Sequence, residues 1–196
     1  MAKRKVQGDV RNTIIENFLQ LAHEEGVHMV TLQKVSKKAG LAYSSVHYYF
    51  GNSQDELLQA SFEYANNKSN IYMQGIMQKS FSDLKSNAFH NFIRAKFDWS
   101  KQFPSFASLL GFFTYLCTRG GKERVLNNQI ELQSQDFLRS CLLYEIGKGT
   151  YRRPKNLDNV LKNIHRILAA EFTFNLTMGK KTKVDLLIEE IEGQFL

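Results

Sequence analysis

The feature that most constrains the fold of this chain is a helix–glycine–helix pattern centred on Gly40. Before the glycine, Leu32, Val35 and Ala39 recur at i, i+3 and i+7, which predicts a short amphipathic helix. Thr31 stands where an N-cap is expected, because its side-chain oxygen can accept from the free amides of the first turn. Gly40 stands where a helix ends in the left-handed conformation, which glycine adopts at little cost.

A second short helix follows the glycine, and its outward side is unusually rich in hydroxyls. Val46 and Phe50 lie four residues apart and give this helix a buried side. The polar and aromatic residues left for its other faces are Tyr43, Ser44, Ser45, His47, Tyr48 and Tyr49. Such side chains hydrogen-bond to base edges and phosphates. The pattern is typical of a helix-turn-helix, whose second helix enters the major groove of DNA. The alternative is a helical hairpin whose Tyr and His residues pack against a neighbouring element.

Both flanks of the pattern predict further helices that could cover its apolar stripe. Upstream, Asp9 can cap a helix that Gly26 ends, with apolar residues at helical spacing between them. Downstream, Ser53 and Glu56 form a capping-box pattern at the start of another helix. A three-helix amino-terminal domain is therefore expected.

In these features the chain resembles the amino-terminal domain of the TetR family of transcriptional regulators. The resemblance runs from about Arg11 to Leu58 and depends on the order and spacing of several pieces. These are Phe-Leu-Gln-Leu-Ala at 18–22, the segment 31–40, the aromatic run 47–50 and Glu-Leu-Leu at 56–58.

The resemblance implies a homodimer in which the second helix of each motif reads one half of a palindromic operator. Base reading is expected at the start of that helix, and phosphate contact at its aromatic positions. A third group, at the start of the first helix, is expected against the DNA backbone and groove edge. The three groups are Tyr43, Ser44 and Ser45; His47, Tyr48 and Tyr49; and Thr31, Gln33 and Lys34.

The chain departs from the family pattern at three places. Ala42 stands where a Ser or similar cap is usual, which predicts a weaker cap for the second helix. Ser44 stands where Gly is frequent and could add a base contact. The segment 51–55 is one residue longer than usual and lacks a Lys that often contacts phosphate, so DNA affinity is expected to depend on other cations.

Composition predicts an all-α protein of two domains. The 196 residues include only two prolines, 43% are hydrophobic, and strict strand-like alternation is almost absent. We expect a helix-turn-helix domain at 1–52 and a larger helical ligand-binding and dimerisation domain at 53–196. Its helices are predicted near 53–79, 83–102, 104–118, 122–147, 156–178 and 183–195.

The net charge of +7 is compatible with a polyanionic partner, although the excess is spread along the chain. Residues 1–50 hold seven Lys and Arg against four Asp and Glu. Lys3, Arg4 and Lys5 could follow phosphates as a basic arm or form a solvated terminus. A basic face that serves only solubility is the alternative interpretation.

The sequence contains no run long enough to span a membrane and no signal-peptide pattern, so a cytoplasmic protein without membrane partners is expected. Cys117 and Cys141 lie in apolar helical contexts without metal-ligand spacing. Buried, reduced thiols are predicted, with redox sensing as the less favoured alternative. No cofactor is expected.

Aromatic residues are dense between positions 89 and 115, where they could form core or line a ligand cavity. The resemblance favours an inducer pocket here, because the family carries one in its carboxy-terminal helices. Ring density alone suggests Phe92, Lys96, Trp99, Phe106, Leu110 and Phe113 as its lining. An apolar or aromatic effector fits best, and Lys96 or Arg94 could hold a carboxylate. The helices near 122–147 and 156–178 carry apolar residues beyond one narrow stripe, which favours a dimer interface, or else closure of the monomer core.

Catalysis has little support in the sequence. The chain lacks HExxH, GxSxG and a glycine-rich phosphate loop, and its five histidines have no partnership at sequence level. His23 and His28 form a weak metal pair at best. A ligand-responsive DNA-binding repressor, and not an enzyme, is therefore predicted. The alternative is a helical protein-interaction module, which would leave the hydroxyl-rich helix after Gly40 unexplained.

Overall fold

The computed structural model describes residues 7–117, 122–178 and 181–195. Within these ranges the regular structure is helical, which confirms the all-α prediction. The α-helices are α1 (Gln7–Glu25), α2 (Leu32–Ala39), α3 (Tyr43–Phe50), α4 (Gln54–Ser82), α5 (Ala88–Gln102), α6 (Pro104–Cys117), α7 (Lys122–Gly147), α8 (Leu157–Met178) and α9 (Val184–Phe195). None of the helices in these ranges has the length and hydropathy needed to cross a membrane.

The chain folds into two compact units. The first unit comprises Met1–Lys68 and Pro104–Phe113, and the second comprises Ser69–Phe103 and Thr114–Leu196. Helix α4 thus begins in the first unit and ends in the second. The predicted division between domains at residues 52 and 53 stays a prediction.

The first unit is built around α1, α2 and α3. Helix α1 packs against α2, and α2 packs against α3. Their apolar stripes are buried, with Ile15, Phe18, Val35 and Val46 all fully inaccessible to solvent. The Tyr64 hydroxyl on α4 donates to the Glu16 carboxylate on α1, and the pKa of Tyr64 is raised by burial and by this bond. Because α1 and α3 pack against the apolar stripe of α2, the opposite side of the α2–α3 pair is left exposed.

The second unit surrounds α5. Helix α5 packs against α7 and α9, and α7 packs against α8. The shared core contains Phe89, Phe92, Ile93, Phe97, Leu138, Leu142, Ile164, Leu168, Leu187, Ile188 and Ile191. The buried carboxylate of Glu145 accepts from the Ala88 amide at 2.8 Å and from the Thr150 hydroxyl at 2.8 Å. A carboxylate at this position stabilises the amino-terminal end of α5, where the free amides and the helix dipole favour negative charge.

Three predicted helix boundaries differ from the structure. Asp9 is not a cap, because α1 already includes Gln7 and Asp9 lies in its first turn. Helix α4 continues to Ser82 instead of breaking at 80–82. Helix α5 begins at Ala88 and not near 83, because the Asn87 side chain caps it by accepting from the His90 amide at 3.0 Å. The other predicted ends agree with the structure within two residues.

Candidate nucleic-acid interface

Both ends of α2 are fixed by local hydrogen bonds. Thr31 is extended and its hydroxyl oxygen accepts from the Lys34 amide at 3.2 Å, as the sequence predicts for an N-cap. Gly40 adopts φ 65° and ψ 32°, the left-handed conformation. The next amide, of Leu41, donates to the Ser36 carbonyl at 2.9 Å and closes the turn. This turn sets the direction in which the chain enters α3.

Helix α3 buries one side and presents polar rings and hydroxyls on the other. Val46 and Phe50 are 0% and 2% exposed, which confirms the predicted buried side. Tyr48 is 72% exposed and Tyr43 is 42% exposed. Ser44 and His47 are exposed as well, whereas Ser45 and Tyr49 are half-buried. The Tyr43 and His47 rings lie 6.3 Å apart, and the Tyr48 and Tyr49 rings meet edge to face at 5.2 Å. Most of the predicted contact side chains of this helix are therefore accessible.

The start of α3 lacks a side-chain cap. Ala42 is the N-cap residue and makes no side-chain hydrogen bond, as the sequence predicts. The first amides of α3 therefore have no partner from that side chain. Free amides and the positive end of a helix dipole favour an anion such as phosphate, although a helix this short contributes little by itself.

Two of the three lysines on α2 are paired with carboxylates at the end of α1. The Lys34 ammonium lies 2.6 Å from Glu25 and donates to the Met29 carbonyl at 3.0 Å. Lys38 pairs with Glu24 at 2.7 Å, and its hydrogen bond lowers the pKa of that carboxyl. Sequence reasoning missed these pairs, because the partners lie nine and fourteen residues apart on different helices. Thr31 and Gln33 are exposed.

The third lysine of α2, Lys37, differs from its neighbours. Its side chain is exposed and makes no ion pair within residues 7–117. Arg11 on α1 is a further cation that was not among the predicted interface residues, and its guanidinium lies 5.4 Å from the centroid of the Phe50 ring. An aromatic residue at the end of α3 is the signal that could have suggested that contact. Lys37 is thus the α2 cation whose charge is not neutralised by a carboxylate.

The segment 51–55 after α3 is anchored at both ends. Gly51 adopts φ 55° and its amide donates to the His47 carbonyl at 2.8 Å. The Ser53 hydroxyl accepts from the Glu56 amide at 3.3 Å, so the Ser half of the predicted capping box is present. Gln54 donates to the Val27 carbonyl at 3.1 Å. This segment, which is one residue longer than is usual in the family, is therefore hydrogen-bonded to the connection between α1 and α2.

The six residues predicted to line a ligand pocket divide between the two units. Phe92 and Trp99 are buried on α5 in the second unit, and Lys96 on the same helix is partly buried. Three residues of α6, Phe106, Leu110 and Phe113, belong to the first unit. There Phe113 stacks on Phe62 with the ring centroids 3.4 Å apart, and Phe106 meets Tyr64 edge to face at 6.1 Å.

The Cys141 thiol is buried, lies 2.9 Å from the Met77 sulfur, and has a pKa raised to about 12, chiefly by burial. It is therefore protonated near neutral pH and a poor nucleophile. Residues 7–117, 122–178 and 181–195 hold no cluster of three or more potential metal ligands. The Cys117 side chain and the arm of Lys3, Arg4 and Lys5 lie outside the described residues.

The region that contains α2 and α3 matches a known family. Residues 14–61 match the family model described as bacterial regulatory proteins, tetR family. The chain carries a TetR-family amino-terminal domain. The matched residues include all of α2 and α3 and the start of α4. The match therefore confirms the sequence resemblance over residues 14–61, which hold the helix-turn-helix.

Solved structures extend the likeness to the whole length of the chain. A TetR transcription regulator from Haloarcula marismortui has a TM-score of 0.76 at 14% identity, covering 96% of this chain and 97% of that one. FadR from Bacillus subtilis in complex with stearoyl-CoA has a TM-score of 0.70 at 18% identity, covering 94% and 96%. The multidrug binding protein EbrR complexed with malachite green has a TM-score of 0.70 at 13% identity, covering 100% and 99%. Identities this low show the shared fold.

No curated protein matches the chain significantly.

Proposed function

We propose that this chain is a DNA-binding transcriptional regulator, a repressor that acts as a homodimer on a palindromic operator and responds to an effector. The observation that carries the proposal is the face of α3, where Tyr43, Ser44, His47 and Tyr48 are all exposed in a TetR-type domain. Four neighbouring polar residues of this kind on one short helix have no evident role in packing the first unit. They are well suited to base edges and phosphates.

Roles within the interface follow from chemistry and position. Tyr43, Ser44 and Ser45 lie at the start of α3, where a recognition helix contacts base edges, and they can donate or accept there. His47, Tyr48 and Tyr49 are assigned to phosphates. Thr31, Gln33 and Lys34 are assigned to the backbone and groove edge, with Thr31 also holding the first turn of α2.

The proposed dimer uses α7 and α8. Within the described part of α7, Leu132 is 61% exposed and Leu143 is 39% exposed, so apolar surface remains after the core of the second unit is formed. On α8, Val160 and Ile167 lie seven residues apart and are only partly buried. A two-fold dimer would cover these side chains and would match the two-fold symmetry of a palindromic site.

The proposed effector site lies in the second unit and starts from Phe92, Lys96 and Trp99 on α5. Support comes from the fold neighbours, since FadR from Bacillus subtilis was solved with stearoyl-CoA and EbrR with malachite green. Phe106, Leu110 and Phe113 on α6 are predicted from ring density alone and belong to the first unit, so the site proposed here does not include them. An effector would regulate DNA binding only as far as it binds the DNA-competent and incompetent states with different affinity.

Hydroxyl-radical footprinting of side chains tests where DNA binds. In the presence of a random-sequence duplex at low salt, we expect oxidation of Tyr43, His47 and Tyr48 to fall severalfold, because phosphates and base edges cover them. Leu84 and Leu186 are 75% and 55% exposed and belong to the second unit, so their oxidation serves as the control and should not change. Protection of these leucines without protection of α3 would contradict the proposed function.

A further inference from the structure

A cluster of charged and polar side chains lies where α5, α7 and α8 of the second unit meet. Lys96 comes from α5, Glu131 and Ser134 come from α7, and His165 and Phe172 come from α8. The His165 side chain is buried, and burial lowers the pKa of the Lys96 ammonium. Lys96 is partly buried and the Glu131 side chain is 42% exposed, so the cluster reaches from the core to the surface. A charged group withdrawn from water, even in part, is costly unless it has a partner.

The carboxylate of this cluster is already engaged. His165 Nε2 forms a short hydrogen bond with the Glu131 carboxylate, and this bond is the main reason why the pKa of Glu131 is lowered. Glu131 is therefore ionised at neutral pH and held by the imidazole. It influences Lys96 through space, yet the two groups do not form an ion pair within 4.0 Å.

The Lys96 ammonium is left with weak partners. Its closest hydrogen-bond acceptor among the described residues is the Ser134 hydroxyl at 3.5 Å, which is long for a charged donor. The ammonium also lies 5.5 Å from the centroid of the Phe172 ring. An ammonium offers three donors, so a hydroxyl at that distance and a ring face leave most of its hydrogen-bonding capacity unused by the protein.

We infer that Lys96 is the recognition point for an effector that carries a carboxylate or similar anionic head on an apolar body. An anionic oxygen would supply the short charge-assisted hydrogen bonds that Ser134 does not. Phe172 and Phe97, whose ring centroids lie 6.2 Å apart, provide apolar surface beside the ammonium. A neutral head would leave the cation underpaired, and a cationic head would be repelled. This inference rests on the proposed function, because it assumes that the second unit binds an effector.

A set of three compounds with one apolar body isolates the head group. We would titrate 4-phenylbutyrate, 4-phenylbutan-1-ol and 4-phenylbutylamine into the full chain by calorimetry at neutral pH, with decanoate as a second acid of different shape. The acids are expected to bind at least about tenfold more tightly than the alcohol, as a charge-assisted hydrogen bond predicts, and the amine should not bind.

Two variants separate Lys96 from general charge. Lys96→Met keeps a similar apolar stem and should weaken acid binding by about 10- to 100-fold while leaving the affinity for the alcohol unchanged. Lys101→Gln is the control, because Lys101 is an exposed cation on the same helix, paired with Asp98 at 2.8 Å, and its loss should leave acid binding intact.

Two results would overturn the inference. One is that the acids bind the wild-type chain no more tightly than the alcohol does, which includes the case in which neither acid binds. This comparison uses only the wild-type chain, so it does not depend on whether a variant folds. The other is acid affinity that survives in folded Lys96→Met or that falls equally in Lys101→Gln. Footprinting of α3 by DNA is independent of these titrations, so it distinguishes a failure of the effector inference from a failure of the proposed function.

Discussion

At the scale of single residues, the three lysines of α2 are not equivalent. Lys34 and Lys38 each hold a carboxylate of α1 within 2.7 Å, so contact with phosphate would require them to exchange one anion for another. Lys37 has no such partner in the described residues. An unpaired surface cation can release a condensed counterion from DNA without first breaking an ion pair.

We therefore expect Lys37→Gln to reduce the salt dependence of DNA binding more than Lys38→Gln does. Losing one phosphate contact should lower the slope of log K against log salt by about 0.9 per subunit. The measurement is fluorescence anisotropy with a duplex at four or more salt concentrations. Lys38→Gln is the matched control, because it removes the same charge from the same helix. Equal changes of slope in both variants would mean that Lys37 acts only through net charge.

At the scale of elements, the turn between α2 and α3 depends on one backbone conformation. Gly40 has φ 65°, and a Cβ added there would meet nothing within 4 Å. Any penalty for a side chain at this position therefore comes from the backbone and not from a steric clash. Gly75 lies within α4, and a Cβ added there would also meet nothing within 4 Å, but its φ is that of an ordinary helical residue.

The two glycines should respond to alanine with opposite signs. Gly40→Ala is expected to lower the free energy of unfolding by about 1 kcal/mol, because a left-handed residue with a Cβ is strained. Gly75→Ala is expected to raise it by about 1 kcal/mol, because alanine is the better helix former. Urea unfolding followed by circular dichroism measures both. A stabilising Gly40→Ala would show that the turn does not require the left-handed conformation.

How far the sequence predicts an element depends on where its determinants lie. The Thr31 cap, the Gly40 turn and the buried side of α3 are set within a few residues, and all three are confirmed. The predicted start of α5 near residue 83 is wrong although its Asn87 cap is local; only the bond from the Ala88 amide to Glu145, 57 residues away, is beyond the reach of sequence patterns. The pairing of Lys34 with Glu25 was invisible for the same reason, since it depends on how α1 packs against α2.

The ligand-site residues show the weakest link between sequence and structure. Ring density cannot tell a ring that lines a cavity from one that fills a core, and Phe113 stacks on Phe62 within the first unit. The short Glu131–His165 contact and the weakly partnered Lys96 emerge only when α5, α7 and α8 pack together. Lys96 was suggested by sequence, whereas its neighbours Glu131, Ser134 and His165 were not.

At the scale of the whole molecule, the proposed function requires two copies of the chain. A single α3 of eight residues contacts too few base pairs for a specific site, whereas a two-fold dimer presents two such helices to half-sites about one DNA turn, or a multiple of it, apart. The partly exposed apolar residues of α7 and α8 offer the surface for that dimer. Operator symmetry is therefore a direct consequence of the proposed assembly.

The most direct test of the proposed function is to select, from a pool of random duplex DNA, the molecules that bind the purified chain at low and at higher salt, and to sequence them. We expect enrichment of an inverted repeat at both salt concentrations, with half-site centres separated by about 10 base pairs or a multiple of that spacing. Binding that disappears at higher salt, with no enriched sequence at either concentration, would contradict the proposed function. The chain would then be better described as a basic helical protein-interaction module.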